Sequence, residues 1–138
     1  MHKLLSATAV LAKTDTPPAM LARLDGRRGA TLPLRGEIGA AEVALLVERA
    51  LSLAKEGRPC VVVDLRAVTH LDYRSLSLLL PLLQRLRARG GDLRLAAPNC
   101  YLATILRFSG LDGVIAIYDS ASAATRSFDG RAAVGGAA

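Results

Sequence analysis

The run Cys60-Val61-Val62-Val63-Asp64-Leu65, entered through Pro59, constrains the fold of this chain more than any other stretch. Dominated by β-branched and aliphatic side chains and lacking the polar alternation of a half-exposed strand, it reads as a strand covered on both faces. Such a strand needs layers packed against its sheet, and the flanking segments supply them. Upstream, Val43, Leu46, Val47, Ala50, Leu51 and Ala54 recur at three- and four-residue spacing across Ala40–Lys55, which predicts an amphipathic helix with Gly57 at its C-terminal cap. Downstream, Leu76, Leu79, Leu80, Leu83 and Leu86 predict a second helix from about Tyr73 to Arg89, closed by Gly90-Gly91. Pro81 falls inside that span and lacks the amide that would bond the Ser77 carbonyl, so the helix is expected either to kink or to be shortened.

The alternation continues toward the C-terminus. Asp92–Ala96 is predicted as a strand, and Pro98-Asn99 as the start of a third helix with Asn99 as N-cap, an apolar stripe of Leu102, Ile105 and Leu106, and Gly110 at its end. Val114–Tyr118 reads as the last strand and Ser120–Ser127 as a short final helix. Before the first helix, Ala19–Leu24 and Gly29–Leu34 flank Asp25-Gly26-Arg27-Arg28 as an expected hairpin. The order β-β-α-β-α-β-α-β-α specifies an α/β fold: a mixed β-sheet of about four to five strands, antiparallel at the N-terminal hairpin and largely parallel beyond it, covered by about four helices. With 138 residues, 51% of them hydrophobic, the chain suits a single domain with a sizeable core. That domain is expected over 19–124, between a flexible N-terminal extension at 1–18, set off by the Thr14–Pro18 break, and a flexible tail at 125–138.

Composition excludes several function classes. The net charge of +6 and a pI near 10.0 invite a nucleic-acid reading, but the arginines run from Arg23 to Arg131 without forming a block, and aromatic residues make up only 4% with no Trp. Stacking platforms for bases are scarce, so a solvated basic surface is expected and no nucleic acid. Cys60 and Cys100 form neither a CxxC pair nor a disulfide framework and are expected as core or near-core thiols. His2 and His70 are isolated, so neither a metal nor any other cofactor is expected. The apolar stretch Leu4–Ala12 is interrupted and far below the roughly 18 residues of a membrane helix, which favours a cytoplasmic protein with no transmembrane segment. Asp64 and Asp72 lie at the end of and just beyond the central strand without a phosphate loop or an HExxH pair, and catalysis is not expected.

The element order, together with Val61-Val62-Val63-Asp64-Leu65 and Leu71-Asp72-Tyr73-Arg74-Ser75-Leu76, resembles the STAS family, which includes anti-sigma-factor antagonists and cytoplasmic domains of sulfate transporters. Leu34-Arg35-Gly36-Glu37-Ile38, Arg89-Gly90-Gly91-Asp92-Leu93 and Ser109-Gly110-Leu111 are similar to further family patterns, and the likeness spans Ala19 to Ala124. In bacterial antagonists of the family, a partner kinase phosphorylates the third residue of a D-S-[ST]-G-L motif. The matching segment here is Asp72-Tyr73-Arg74-Ser75-Leu76, so the acceptor position falls on Arg74, which has no hydroxyl, and the usual phosphate switch is unavailable there.

Asp72 suits an N-cap and is compatible with partner recognition as well. Arg74 is expected either to point to solvent or to reach a carboxylate, a partner's among the candidates. Ser75 and Ser77 keep hydroxyls within one turn of the acceptor position. The resemblance implies a bacterial, non-catalytic regulatory module in transcription signalling, acting as an anti-anti-sigma factor. It would bind an anti-sigma factor or kinase-like ATP-binding protein through Asp72, Tyr73, Arg74, Ser75 and Ser77, and it could form a homodimer. The alternative it allows is an accessory subunit of an ABC-type lipid transporter, bound to the ATPase subunit; neighbouring genes would separate the two.

Overall fold

The structure is a computed structural model that describes residues 20–129; the expectations for 1–18 and 130–138 lie outside the described residues. Five strands form one sheet in chain order: β1 (Arg23–Asp25), β2 (Gly29–Ile38), β3 (Cys60–Leu71), β4 (Asp92–Ala96) and β5 (Ala116–Tyr118). β1 and β2 pair antiparallel, and the other neighbours pair parallel. Three helices join the parallel strands, α1 (Ala40–Lys55), α2 (Leu79–Ala88) and α3 (Cys100–Ser109), and α4 (Ala121–Arg126) follows β5, with 3₁₀ turns at Tyr73–Leu78 and Leu111–Gly113. Strands that advance in chain order through right-handed crossovers place α1, α2 and α3 on one face. There Val61, Val63, Leu93 and Leu95 pack under Leu46, Leu82, Leu86, Leu102 and Leu106 in a core that contains no aromatic side chain. α4 covers the opposite face, where Ala124 packs with Val62 and Ala96 beside Tyr118 and Phe128. Both faces of the first half of β3 are thus buried, as its continuous apolar run requires.

Several boundaries differ from expectation, each for an identifiable reason. β3 runs on to Leu71 rather than ending at Leu65, and its pairing with β4 stops at Asp64, so Asp64 lies within the strand. Beyond Leu65 only Val68 and Leu71 are buried, and the exposed Arg66, Ala67, Thr69 and His70 around them hide the strand from a search for apolar runs. β2 likewise extends to Ile38 through two register shifts around Pro33, Arg35 and Gly36, the last with φ of 75°, a conformation glycine adopts without steric cost. β1 is short, and Met20 ahead of it is buried in the main core. β5 starts only at Ala116, after a buried Ile115. The helix expected from Tyr73 is divided, with the α-helical part starting at Leu79. Pro81 therefore sits in the first turn of α2, where amides have no intrahelical partner, and the outcome is a shortened helix without an interior proline. Packing also continues past Ala124: Ser127 is buried, and Phe128 lies 4.0 Å from the Arg94 guanidinium carbon.

The amino ends of the strands are knitted closely. The Cys60 amide donates to the Arg28 carbonyl at 3.0 Å and the Asp92 amide to the Pro59 carbonyl at 3.1 Å. Gly91 passes so near Pro59 that a Cβ there would stand 2.0 Å from the Pro59 carbonyl oxygen. The second glycine of the Gly90-Gly91 pair is thereby required by close approach between backbones.

Candidate functional site

At the far end of β3 the chain turns through Asp72, whose amide donates to the Ile38 carbonyl at the end of β2 (2.9 Å). The Asp72 carboxylate then caps the 3₁₀ turn: one oxygen accepts from the Arg74 amide at 3.1 Å and the other from the Ser75 hydroxyl at 3.4 Å. The expected capping role holds, although the capped element is a 3₁₀ turn and not an α-helix. Of the five residues singled out from the sequence, Tyr73, Arg74 and Ser77 are exposed, Asp72 is partly exposed, and Ser75 is buried at 6% exposure. The Arg74 side chain is 81% exposed, and its Nε lies 3.7 Å from the Asp72 carboxylate. The carboxylate it reaches is thus within its own chain, in a solvent-exposed pair of little energetic weight. The Ser77 hydroxyl donates to the Arg74 carbonyl at 3.3 Å.

Beside this turn lies a groove of about 500 Å³ lined by His70, Leu71, Asp72, Tyr73, Tyr101, Ile105 and Phe108. Tyr101, Ile105 and Phe108 are spaced i, i+4, i+7 and form one face of α3, distinct from the face of Leu102 and Leu106 that enters the core. Ile105, expected in the core stripe, packs only partly against the core and lines the groove as well. The Tyr101 ring stacks on His70 with centroids 5.7 Å apart, and its hydroxyl lies 2.6 Å from His70 Nδ1. Tyr73 is 62% exposed and Phe108 85%. Three of the chain's five Tyr and Phe residues therefore surround one open groove, while the main core holds none. Reasoning from sequence missed Tyr101 and Phe108. The available signal was a second apolar series on α3, offset from the core stripe and carrying the aromatics.

The two carboxylates considered for chemistry do not meet. Asp64 opens onto a separate polar cleft with Arg23, Asp25, Arg66 and Asp119, and it accepts the Arg66 amide at 3.0 Å. Among the described residues, no three of His, Cys, Asp and Glu gather so as to hold a metal ion. Of the two thiols, Cys60 lies near the core as expected and Cys100 does not. Cys100 is exposed in the first turn of α3, and Cys60 is half-buried. Burial pushes the Cys60 thiol above its ordinary pKa against the opposing pull of Arg28 and Arg94, with Asp92 adding to the rise. No described helix is long and apolar enough to cross a membrane.

This arrangement, a sheet in chain order with a capped turn at the end of its central strand, is that of a STAS domain. The chain belongs to the STAS domain family, which its sequence matches over residues 22–124. No curated protein matches it. Among solved structures it is similar to a Thermotoga maritima protein described as an anti-sigma factor antagonist, with 21% identity over 78% of this chain and 92% of that one and a TM-score of 0.69. It is also similar to the phosphorylated form of the Bacillus cell fate determinant SpoIIAA, with 18% identity, coverage of 77% and 96%, and a TM-score of 0.59. The STAS domain of a SulP transporter from Vibrio cholerae matches at 17% identity, with coverage of 76% and 83% and a TM-score of 0.60. At these identities the likeness shows the shared α/β fold.

Proposed function

We propose that this protein is a non-catalytic regulatory module of the anti-sigma-factor-antagonist type, which docks an anti-sigma factor or related kinase-like ATP-binding protein through the Asp72–Ser77 turn and the adjoining face of α3. The observation that carries this reading is the concentration of Tyr73, Tyr101 and Phe108 around one open groove beside that turn. Aromatic side chains left in water are costly, and they are the residues that most often dominate protein–protein binding energy. Family membership and the antagonists among the structural relatives support the same conclusion.

In this reading Arg74 takes the place of the phosphoacceptor. Its exposed guanidinium puts a fixed positive charge where the switchable antagonists acquire a dianion, so docking is constitutive with respect to that switch. Ser75 does not replace the lost hydroxyl, because it is buried and turned toward Asp72. Ser77 is exposed and is the remaining serine hydroxyl of the turn open to a kinase.

The test is an affinity pull-down from the native host using wild type, Tyr101→Ala/Phe108→Ala and Arg74→Ser, with mass spectrometry of the bound proteins and phosphosites. Capture of a kinase-like anti-sigma factor by wild type, at least tenfold weaker with the aromatic double variant, is expected, since anchors of this kind typically contribute about 2 kcal/mol or more. Phosphate is expected on residue 74 of the Arg74→Ser variant alone. Capture of a transporter ATPase and permease instead would replace this function with the accessory-subunit one.

A further inference from the structure

The pole at the amino ends of the parallel strands gathers the β1–β2 turn, the α1–β3 loop and the α2–β4 loop. Arg28, Lys55, Arg58, Arg85 and Arg89 lie in these loops and in the last turns of α1 and α2, and none of the five forms an ion pair among the described residues. Three of them are held in place by backbone carbonyls. Arg28 Nη2 donates to the Arg89 carbonyl at 3.1 Å, Arg58 Nη1 to those of Gly26 and Gly29 at 3.0 and 2.7 Å, and Arg89 Nη1 to that of Ala54 at 3.5 Å. The nearby Asp92 carboxylate is occupied by Arg87 at 2.9 Å and Arg94 at 3.3 Å.

Cations at helix C-termini are the ordinary complement of the terminal carbonyls, and that role accounts for Arg28 and Arg89. Lys55 and Arg85 also stand in last turns, where the dipole favours a cation, but their side chains make no hydrogen bond among the described residues and stay available to a further partner. With Arg89, Leu51 and Ala88 these two line a cleft of about 300 Å³ between the ends of α1 and α2, and no acidic residue contributes to its lining.

We propose that this pole docks on an anionic phospholipid surface, with a headgroup phosphate seated between Lys55, Arg85 and Arg89. Nucleic acid fits the pole less well. The exposed aromatic residues on which bases would stack line the groove beside the Asp72 turn, and the pole consists of loops and helix ends with no helix or ribbon projecting to enter a groove. A lipid face asks only for clustered positive charge, because its headgroups rearrange laterally to meet it. Attachment here requires nothing of the aromatic groove, so failure of one surface leaves the other standing.

The experiment is co-sedimentation of the full chain with vesicles of phosphatidylcholine alone and of phosphatidylcholine containing phosphatidylglycerol, at low and physiological salt, alongside a short DNA duplex at equal phosphate concentration. Each cation near such a surface is worth roughly fivefold in affinity, so Lys55→Gln/Arg85→Gln is expected to bind the anionic vesicles about 25-fold more weakly. Lys55→Arg/Arg85→Lys, which keeps the charge, should bind as wild type and covers the case in which the neutral variant folds poorly. Arg35→Gln/Arg66→Gln, which removes two cations away from the pole, should also bind as wild type. Equal binding to both vesicle types, undiminished binding by Lys55→Gln/Arg85→Gln, or tighter binding to the duplex than to the anionic vesicles would each overturn the proposal.

Discussion

The amino and carboxyl ends of the sheet are built on opposite plans. At the amino end three loops are drawn together by amide–carbonyl bonds, by guanidinium groups clasping carbonyl oxygens, and by the contact of Gly91 with Pro59. At the carboxyl end β3 runs on beyond its pairing with β4 and finishes in a turn capped by a single carboxylate, beside an open aromatic groove. One end is closed by many mutually dependent backbone contacts, whereas the other leaves apolar area uncovered. In the function proposed above, stability and recognition are thereby separated within one small sheet, and substitutions at the two ends should have different consequences.

The sharpest way to break the closed end is Gly91→Ala. A methyl group there would overlap the Pro59 carbonyl, and with backbone on both sides neither strand can move aside without disturbing the pairing of β3 and β4. A loss of about 3 kcal/mol or more in urea unfolding is expected, and a loss below about 1 kcal/mol would mean that the amino end yields more readily than its contacts indicate. At the open end, Asp72→Ala removes one cap and should cost only about 1 kcal/mol. Amide exchange at Arg74 should quicken while that of β3 and β4 stays near wild type, because the Asp72 side chain contacts only its own turn. Spread of the faster exchange into the strands would show that the two ends are coupled.

The smallest expected effect is the alkaline response of Cys60 at the closed end. Its pKa is raised in the folded state by burial, so its contribution is fully present below the unfolded-state pKa. As pH rises past that value the unfolded chain ionises first, and stability is lost through the interval up to the folded pKa. Wild type should lose slightly more stability than Cys60→Ala between neutral and alkaline pH, as read from urea midpoints, and the exposed Cys100 should be alkylated before Cys60 in the native protein. Equal slopes for wild type and Cys60→Ala would place the thiol in water.

The same division governed what could be read from the sequence. α1 was expected over Ala40–Lys55 and forms over those residues, because one face is buried along its whole length and its periodicity is uninterrupted. Asn99 was legible as a cap, and its side chain accepts the Leu102 amide at 2.8 Å. These are signals in which local chemistry and tertiary packing agree. The second half of β3 was not legible, because a strand that leaves its β4 neighbour exposes residues such as Arg66 and His70 on one side and loses the apolar run. At the site, Asp72 was read correctly as a cap. Ser75 looked like an available hydroxyl because burial depends on which way a 3₁₀ turn faces, and spacing along the chain does not report that. Tyr101 and Phe108 were missed because their partners, His70 and Tyr73, come from another element.

The turn at Tyr73–Leu78 is long for a 3₁₀ segment, six residues in all, and it leads directly into α2. A 3₁₀ helix rises about 2.0 Å and turns about 120° per residue, against about 1.5 Å and 100° in an α-helix. Relaxation to α geometry would therefore shorten the segment by about 3 Å and twist one end against the other by about 120°. Buried Leu76 and Leu79 act as the pins of this winding, since neither can follow such a rotation without leaving the core. The direction in which Tyr73 and Arg74 point is thus set like the hand of a clock by gearing beneath the dial, and a change of shape at either leucine would reorient the proposed docking face without altering any residue on it.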